Sequence, residues 1–289
     1  MGSAIIILER LPALSLGCYG NWQNVTPNLD AQASRSLVCD HFIATDTCYP
    51  IVCDFLISEF ISIKQVEKYV ATEDWIVGAT PWLDESIDDI EKPLDLVRKF
   101  AAYPERINDF EIPLALRFAI HGAIVHCMDR LFGDAREDVR EGYDLAYDGA
   151  VDTVVVYSCT GEPLIKRSGE HRFFCPETQH LPLMIERIGV SDSSERLNSP
   201  FGVNDFRELL RDVASLDRWK QQMEARGKFV AQLENGQMIR TTEWLCIVGD
   251  DEEFQPQLFH LPEDPWGLLN VAPQYPHVVQ ELLKSIEKP

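Results

Sequence analysis

Two short runs of apolar, largely β-branched residues most constrain the fold of this chain. Residues 4–8 read AIIIL and residues 152–157 read DTVVVY, and polar or charged residues follow each run. A short, continuous apolar run is typical of a strand that is buried on both faces, as in a parallel sheet covered by helices. The two runs therefore predict an α/β protein.

Hydrophobic patterns elsewhere in the chain support this prediction. Helical spacing of apolar residues predicts helices at 26–36, 54–63, 112–140, 203–215 and 278–286. Further buried strands are predicted at 75–79 and 181–186, and short strands separated by turns at 229–233, 237–241, 244–248 and 257–261. This order predicts a mostly parallel central sheet flanked by helices over residues 1–215, with a small C-terminal antiparallel strand region and a closing helix over 216–289.

The charge of the chain argues against two classes of partner. It has 47 acidic and 26 basic residues, which gives a formal net charge of −21. Nucleic acids and anionic membranes both need a basic protein surface, so we expect neither as a partner. No apolar run approaches the roughly 20 residues of a membrane span, and residues 4–8 are too short for the core of a signal peptide. We therefore expect a cytoplasmic protein.

The eight cysteines do not suggest a disulfide framework. None of them forms a CxxC pair, and they are spread along the whole chain. In a cytoplasmic protein of this size such cysteines are most often buried thiols.

Several short motifs occur along the chain in an order that resembles one known family. They are LGCYGN at 16–21, TPNLD at 26–30, CYPIV at 48–52, VYSCTGE at 156–162, GEH at 169–171, LPLMI at 181–185, LFHLPEDP at 258–265 and NVA at 270–272. Taken in order, they resemble the sulfatases of the alkaline-phosphatase superfamily. The resemblance implies the α/β fold of that superfamily and ancestry among sulfuric and phosphoric ester hydrolases.

The resemblance also implies where an active centre would lie, and most of its residues are replaced. One or two Asp residues follow the first strand in the family, where this chain has Glu9 and Arg10. The family nucleophile lies in a Cys-x-Pro-Ser-Arg motif, which corresponds to Cys48 here, with Val52 in place of the Arg. The resemblance therefore implies that Cys48 occupies the nucleophile position but remains an unmodified thiol.

A second group of family site residues is replaced later in the chain. The Asp and His of the family's Ser-Asp-His-Gly-Glu motif, which bind metal, correspond to Cys159 and Thr160. A family Lys is replaced near Cys175, and His171 belongs to the following Gly-Glu-His stretch. Since ligands of open α/β sheets bind at the carboxyl ends of parallel strands, we expect the loops after residues 8 and 157 to face one crevice.

These replacements bear on the metal that the family uses. Such ester hydrolysis needs calcium or another divalent cation, and hard cations prefer carboxylate and other oxygen ligands. Of the ligand positions implied by the resemblance, Glu9 alone keeps a carboxylate, and Arg10 would repel a cation. We therefore expect no metal or other cofactor.

Three readings of the function remain open. The first is a catalytically degenerate sulfatase-like protein that binds a small anion or a protein partner, with Arg10 as an anion contact. The second is an active hydrolase of sulfate or phosphate esters that uses Cys48 directly or a relocated metal. Glu9 and His171 would form a general acid–base pair if both lined the pocket. The third is an interaction protein stabilised by zinc on Cys48, Cys159 and Cys175.

Overall fold

The structure is a computed structural model, and it describes most of the chain outside residues 64–113. The described residues are 2–8, 11–45, 60–63, 114–146, 151–161, 164–165, 175–189, 194–233, 236–250 and 254–284. The strands are β1 (Gly2–Leu8), β2 (Leu37–Cys39), β3 (Phe42–Ile43), β4 (Phe60–Ile63), β5 (Val151–Ser158), β6 (His180–Leu181), β7 (Leu183–Arg187), β8 (Glu195–Leu197), β9 (Phe201–Gly202), β10 (Lys228–Leu233), β11 (Gly236–Thr241), β12 (Trp244–Gly249) and β13 (Gln257–His260). The α-helices are α1 (Pro27–Ala33), α2 (Leu114–Ala146), α3 (Pro176–Gln179), α4 (Val203–Arg211), α5 (Leu216–Arg226) and α6 (Pro276–Lys284).

The central sheet has six strands in the order β4-β1-β5-β7-β2-β8. Strand β1 pairs in parallel with both β4 and β5, and β2 pairs in parallel with β8. Strand β7 is antiparallel to both of its neighbours, β5 and β2. Five strands thus run in one direction and β7 alone runs in the other, which confirms a mostly parallel sheet.

The continuous apolar runs of β1 and β5 are explained by burial on both faces of this sheet. Ile5 and Ile7 pack in one core cluster with residues of α4 and α5. Ile6 and Leu8 pack in a second cluster with residues of α1 and α2. Because side chains alternate between the two faces of a strand, a strand with helices on both sides needs apolar residues at every position. The strand predictions at 4–8 and 152–157 are confirmed.

The long helix α2 covers one face of the sheet. Its residues Val125, Met128 and Phe132 are buried in the cluster that also contains Leu29 of α1. The predicted helix at 112–140 is therefore confirmed and continues to Ala146.

A separate four-stranded antiparallel sheet lies near the C-terminus, in the order β10-β11-β12-β13. One of its faces packs around Met238 and Phe259. Its other face packs around Ile239 and Cys246 against α6. The predicted C-terminal strands and closing helix are confirmed. A third sheet, β6-β3-β9, has short strands only.

The structure corrects the sequence predictions at two places. Residues 60–63 were predicted as the end of a helix but form β4, which pairs with β1 through Ile5 and Phe60. The predicted elements at 54–59 and 75–79 lie outside the described residues. Helix α5 was not predicted, and its residues Leu216 and Trp219 are buried in the core cluster of the central sheet. The division at residue 215 stays a prediction, although this first helix beyond it packs on the core.

Among the helices in the described ranges, none combines the length and the apolar character that crossing a membrane requires.

Candidate functional site

The first two motifs, LGCYGN and TPNLD, lock each other by hydrogen bonds. The Gly17 N–H donates to Thr26 Oγ1 at 3.1 Å, and the Cys18 N–H donates to Asp30 Oδ1 at 2.7 Å. The Thr26 hydroxyl also donates to Asp30 Oδ1, at 3.1 Å. A Cβ atom on Gly17 would lie 2.6 Å from Asp30 Oδ2, so any other residue here would force the Asp30 carboxylate to shift. Gly17, Cys18, Thr26 and Asp30 together form what we call the motif clamp.

A buried carboxylate of α2 fixes the helix that carries this clamp. Asp129 is 1% exposed, and it accepts hydrogen bonds from the Leu29 N–H at 2.8 Å and the Asn28 N–H at 3.3 Å. Burial raises the pKa of Asp129 above its usual value, and these hydrogen bonds oppose the rise. The carboxylate satisfies N–H groups that the first turn of α1 cannot pair internally. The TPNLD motif therefore has a structural role.

The end of β5, where the resemblance implies metal ligands, is closed by hydrogen bonds. The Ser158 hydroxyl donates to the Thr160 carbonyl oxygen at 2.6 Å and accepts from the Leu11 N–H at 3.2 Å. Cys159 is 4% exposed and belongs to the apolar cluster of the central sheet. The Thr160 hydroxyl donates to the Gly161 carbonyl oxygen at 3.3 Å. Neither of the two predicted site residues presents a carboxylate or an imidazole at this strand end.

Cys175 lies on the segment that packs against this strand end. It precedes α3, and its carbonyl oxygen accepts hydrogen bonds from the N–H groups of Thr178 and Gln179. Gly161 in turn donates its N–H to the Thr178 carbonyl oxygen at 3.1 Å. A Cβ atom on Gly161 would lie 2.0 Å from the Glu177 carbonyl oxygen, so the two segments touch through their backbones.

The other predicted site residues, Glu9, Arg10, Cys48 and His171, lie outside the described residues. Within the described part of the chain, no three His, Cys, Asp or Glu side chains are grouped so that they could hold a metal ion. Cys159 and Cys175 therefore do not form a metal site with any described third ligand. The zinc site with Cys48 and the acid–base pair of Glu9 and His171 stay predictions.

A cleft of about 440 Å³ lies between the central sheet and the C-terminal sheet. Asp40 and His41 reach it directly after the end of β2, and Asn198 directly after the end of β8. His180 reaches the same edge from the start of β6, because the following strand, β7, runs opposite to its neighbours. From the C-terminal sheet, Arg240 of β11 faces the cleft. The cleft thus occupies the carboxyl edge of the parallel strands, where α/β sheets bind ligands.

A buried guanidinium is the main charged group of this cleft. Arg240 is 3% exposed, and its Nη2 donates to His41 Nδ1 at 2.9 Å. Its Nη1 donates to the Thr241 carbonyl oxygen. Burial lowers the pKa of Arg240 to about 9, so the side chain is still charged near neutral pH.

Both histidines of the cleft are neutral near neutral pH. Burial, with the charge of Arg240 next, lowers the pKa of His41 to about 2 and that of His180 to about 4. His41 accepts at Nδ1, so its proton lies on Nε2. His180 Nε2 lies 2.6 Å from the Asp40 carbonyl oxygen and carries its proton there. The two imidazoles therefore act as fixed hydrogen-bonding groups without charge.

Three further polar side chains of the cleft are held by an ion pair or by hydrogen bonds. The Arg196 guanidinium forms an ion pair with the Asp40 carboxylate, with Nε and Oδ2 3.1 Å apart. Tyr19 lies at the base, where its hydroxyl oxygen accepts from the Leu183 N–H at 2.9 Å. Burial raises the pKa of Tyr19 well above its usual value, so the hydroxyl stays protonated.

Sequence reasoning missed this cleft. Asp40 and His41 follow a strand of only three residues, β2, whose apolar run is too short to stand out. Arg240 lies in a strand that was predicted correctly, but nothing in its local pattern indicates burial. The usable signal was the pair of polar residues, Asp40 and His41, between the short apolar stretches 37–39 and 42–44.

No protein-family model and no curated protein matches this chain. Solved structures do match it. A 2-O GAG sulfatase aligns with a TM-score of 0.61 at 12% identity, covering 99% of this chain and 91% of that chain. The phosphonate monoester hydrolase of Agrobacterium radiobacter aligns with a TM-score of 0.58 at 11% identity, covering 99% of this chain and 94% of that chain.

These alignments span nearly all of each chain, although the identity is low. The chain therefore has the fold that these sulfatase and phosphonate hydrolase structures share. At this level of identity the likeness concerns the fold, and the chemistry must be argued from the residues of the site.

Proposed function

We propose that this is a sulfatase-fold protein whose ester-hydrolysing centre has decayed and which keeps a binding role. The single observation that carries the proposal is the environment of Cys159 and Thr160. The resemblance implies an Asp and a His as metal ligands at these positions. Instead, the thiol lies in the apolar core and the hydroxyl is bonded to a neighbouring carbonyl oxygen.

The chemistry of these two side chains supports the loss of a hard-cation site. Calcium and magnesium prefer carboxylate and carbonyl oxygens, whereas a thiolate is a soft ligand. Without a metal at this edge, a sulfate or phosphate ester has no cation here to polarise its oxygens.

The test is hydrolysis of aryl sulfates and aryl phosphates together with metal analysis of the purified protein. We expect no turnover above a protein-free control with added calcium, magnesium, manganese or zinc, and no divalent metal near one equivalent. Mass spectrometry of the peptide that contains Cys48 should show an unmodified thiol.

Two variants make this test decisive. Cys48→Ala removes the thiol at the implied nucleophile position. Cys18→Ala removes a half-buried thiol of the first motif, whose pKa burial raises to about 12, and serves as the matched control. Turnover that disappears with a chelator and in Cys48→Ala, but persists in Cys18→Ala, would overturn the proposal in favour of an active hydrolase.

A further inference from the structure

We propose that the cleft between the two sheets binds an organic anion, meaning a carboxylate, sulfate or phosphate group carried on a small apolar body, with Arg240 as its principal contact. The inference deepens the binding role in the proposed function and rests on it to that extent. The site is distinct from the end of β5, because neither Cys159 nor Thr160 lines the cleft.

The first argument is that the buried charge of Arg240 has no carboxylate partner among the described residues. A buried charge is costly unless an opposite charge or several hydrogen bonds compensate it. Within the described residues, no carboxylate forms an ion pair with Arg240, and its two hydrogen-bond acceptors, His41 Nδ1 and the Thr241 carbonyl oxygen, are neutral. A guanidinium has five N–H donors in a fork that matches an oxyanion, and these two contacts leave donors for a ligand.

The surrounding groups favour an anion at this position. His41 is held in one tautomer by Arg240, and its side chain hydrogen-bonds with Asn198. The imidazole therefore donates from Nε2 to Asn198, and Arg240 is the positive charge in hydrogen-bond contact with it. Such a preorganised arrangement reduces the cost of ordering side chains when a ligand binds.

Two carboxylates also line the cleft, and neither neutralises Arg240. Asp40 is already engaged by Arg196. Glu243 is exposed and forms no ion pair with Arg240 among the described side chains. Because a charge in contact with water is screened, Glu243 opposes an anion less than the buried Arg240 attracts it.

The apolar residues of the cleft indicate the body of the ligand. They are Leu14, Ile43, Pro176, Leu261, Pro262 and Pro265. At about 440 Å³ the cleft is within the size range of small-molecule sites and larger than a bare oxyanion requires. The combination fits a charged head at Arg240 and an apolar ring or chain against the prolines.

The test is calorimetric titration of metal-stripped, full-length protein at low salt with four probes. Phenyl phosphate and benzoate carry an anion on an apolar ring, benzyl alcohol is the neutral counterpart, and inorganic phosphate lacks the ring. We expect both aryl anions to bind at least about 10-fold more tightly than benzyl alcohol, because hydrogen bonds to charged groups are stronger than neutral ones. We also expect phenyl phosphate to bind more tightly than inorganic phosphate.

Variants locate the site. Arg240→Gln should weaken binding of phenyl phosphate by about 10- to 100-fold. Asn198→Asp, a nearly isosteric change at an exposed residue, places a carboxylate beside His41 and should weaken binding by about 10-fold. Glu243→Gln should tighten it by about 2- to 5-fold. Arg218→Gln, at an exposed arginine of α5 that does not line the cleft, is the matched control and should bind as the native protein does.

Specific outcomes would overturn this inference. Equal affinity for phenyl phosphate and benzyl alcohol would overturn it. Unchanged affinity for phenyl phosphate in both Asn198→Asp and Glu243→Gln would also overturn it. These two variants test the site even if Arg240→Gln does not fold. Equal affinity for phenyl phosphate and inorganic phosphate would overturn the apolar part of the ligand. If the protein hydrolyses aryl esters and also binds the aryl anions as expected, only the proposed loss of catalysis is contradicted. If it neither hydrolyses these esters nor prefers anions over benzyl alcohol, only the proposed anion site in the cleft is contradicted.

Discussion

The motif clamp and the end of β5 both match segments of the sulfatase pattern, yet they differ in what their side chains do. In the clamp, the matched residues Gly17, Thr26 and Asp30 bond to each other. At the end of β5, the pattern would require metal-binding side chains, and Cys159 and Thr160 turn instead to the core and to the local backbone. The matched residues thus hold the local structure, while the two replaced residues occupy positions to which the resemblance assigns metal binding.

The C-terminal motif behaves like the clamp. Asp264 Oδ2 accepts hydrogen bonds from the N–H groups of Leu268 and Leu269, each at 2.7 Å. Asn270 Oδ1 accepts from the N–H groups of Leu258 and Ala272, each at 3.0 Å. Both side chains fix loops that follow β13. A resemblance carried by such residues is therefore a statement about architecture.

The most direct test of this difference is to introduce, at Cys159 and Thr160, the metal ligands that the resemblance implies. We expect the double variant Cys159→Asp and Thr160→His to lose about 3–5 kcal/mol in the free energy of unfolding, because the new carboxylate would lie unpaired in the apolar cluster. Urea denaturation with and without 10 mM calcium measures this. The variant Cys159→Ala with Thr160→Ala controls for lost packing, and a large rise in stability with calcium, seen only in the Asp–His variant, would show that a metal site persists.

If the clamp region is purely structural, removing Asp129 should lower stability without weakening the binding of phenyl phosphate. Asp129→Ala removes the acceptor for the N–H groups of Asn28 and Leu29, and we expect a loss of about 3 kcal/mol. Affinity for phenyl phosphate should not change in the folded fraction. Asp217→Ala, which breaks an exposed ion pair with Arg187, should cost less than about 1 kcal/mol. Similar losses in the two variants would contradict the structural role of Asp129.

Two glycines, Gly161 at the end of β5 and Gly20 in the LGCYGN motif, provide a further test. Gly161→Ala should cost about 2–3 kcal/mol, because the added Cβ atom would meet the Glu177 carbonyl oxygen and move α3. Gly20→Ala has open space around it but a φ of 94°, so we expect a cost of about 1 kcal/mol. Thermal denaturation ranks the two, and the reverse order would mean that the strand end and α3 are not in backbone contact.

The pH dependence of stability compares the surroundings of the clamp with the cleft through one histidine in each. His121 Nε2 lies 2.6 Å from Ser15 Oγ behind the clamp, and burial lowers its pKa to about 4, as it does for His180 in the cleft. Both folded-state values lie below the unfolded value of about 6.5, so the unfolded state binds more protons below that pH. Each histidine should therefore contribute stability that is fully present above pH 6.5 and is lost between pH 6.5 and 4, at about 1.4 kcal/mol per pH unit.

His121→Gln and His180→Gln should each reduce this slope by the contribution of one group. Urea denaturation at pH 7, 6 and 5 provides the measurement. His277→Gln, at an exposed imidazole of α6, is the control for the loss of a histidine side chain in itself. A slope that neither buried variant changes would mean that other groups carry the pH dependence.

Much of the fold was predictable because it depends on local patterns. The apolar runs of β1 and β5, the long amphipathic helix α2 and the alternating strands of the C-terminal sheet all carry their signal within a few turns or strand residues. The prediction for 60–63 was wrong because a short apolar stretch reads equally as a buried helix or a buried strand. Only its pairing with β1 decides between them.

The site was less predictable because it depends on tertiary contacts. Cys159 and Thr160 were placed correctly after a strand, but whether they point into a pocket or into the core is a property of packing. Arg240 and His41 are 199 positions apart in the chain and meet only when the C-terminal sheet docks on the central one. No local pattern reports such a contact.

The pairing of β1 with β5 has a consequence for how the chain folds. Leu8 lies opposite Ser158, so β1 is synthesised well before its partner β5. At ordinary rates of synthesis this delay is roughly 8 to 30 seconds, during which the Ile-rich strand has an open edge that can pair with other chains. We therefore expect the yield of native protein to depend on chaperones and to rise at low expression temperature, with nascent chains that end before residue 158 recovered mainly as aggregates.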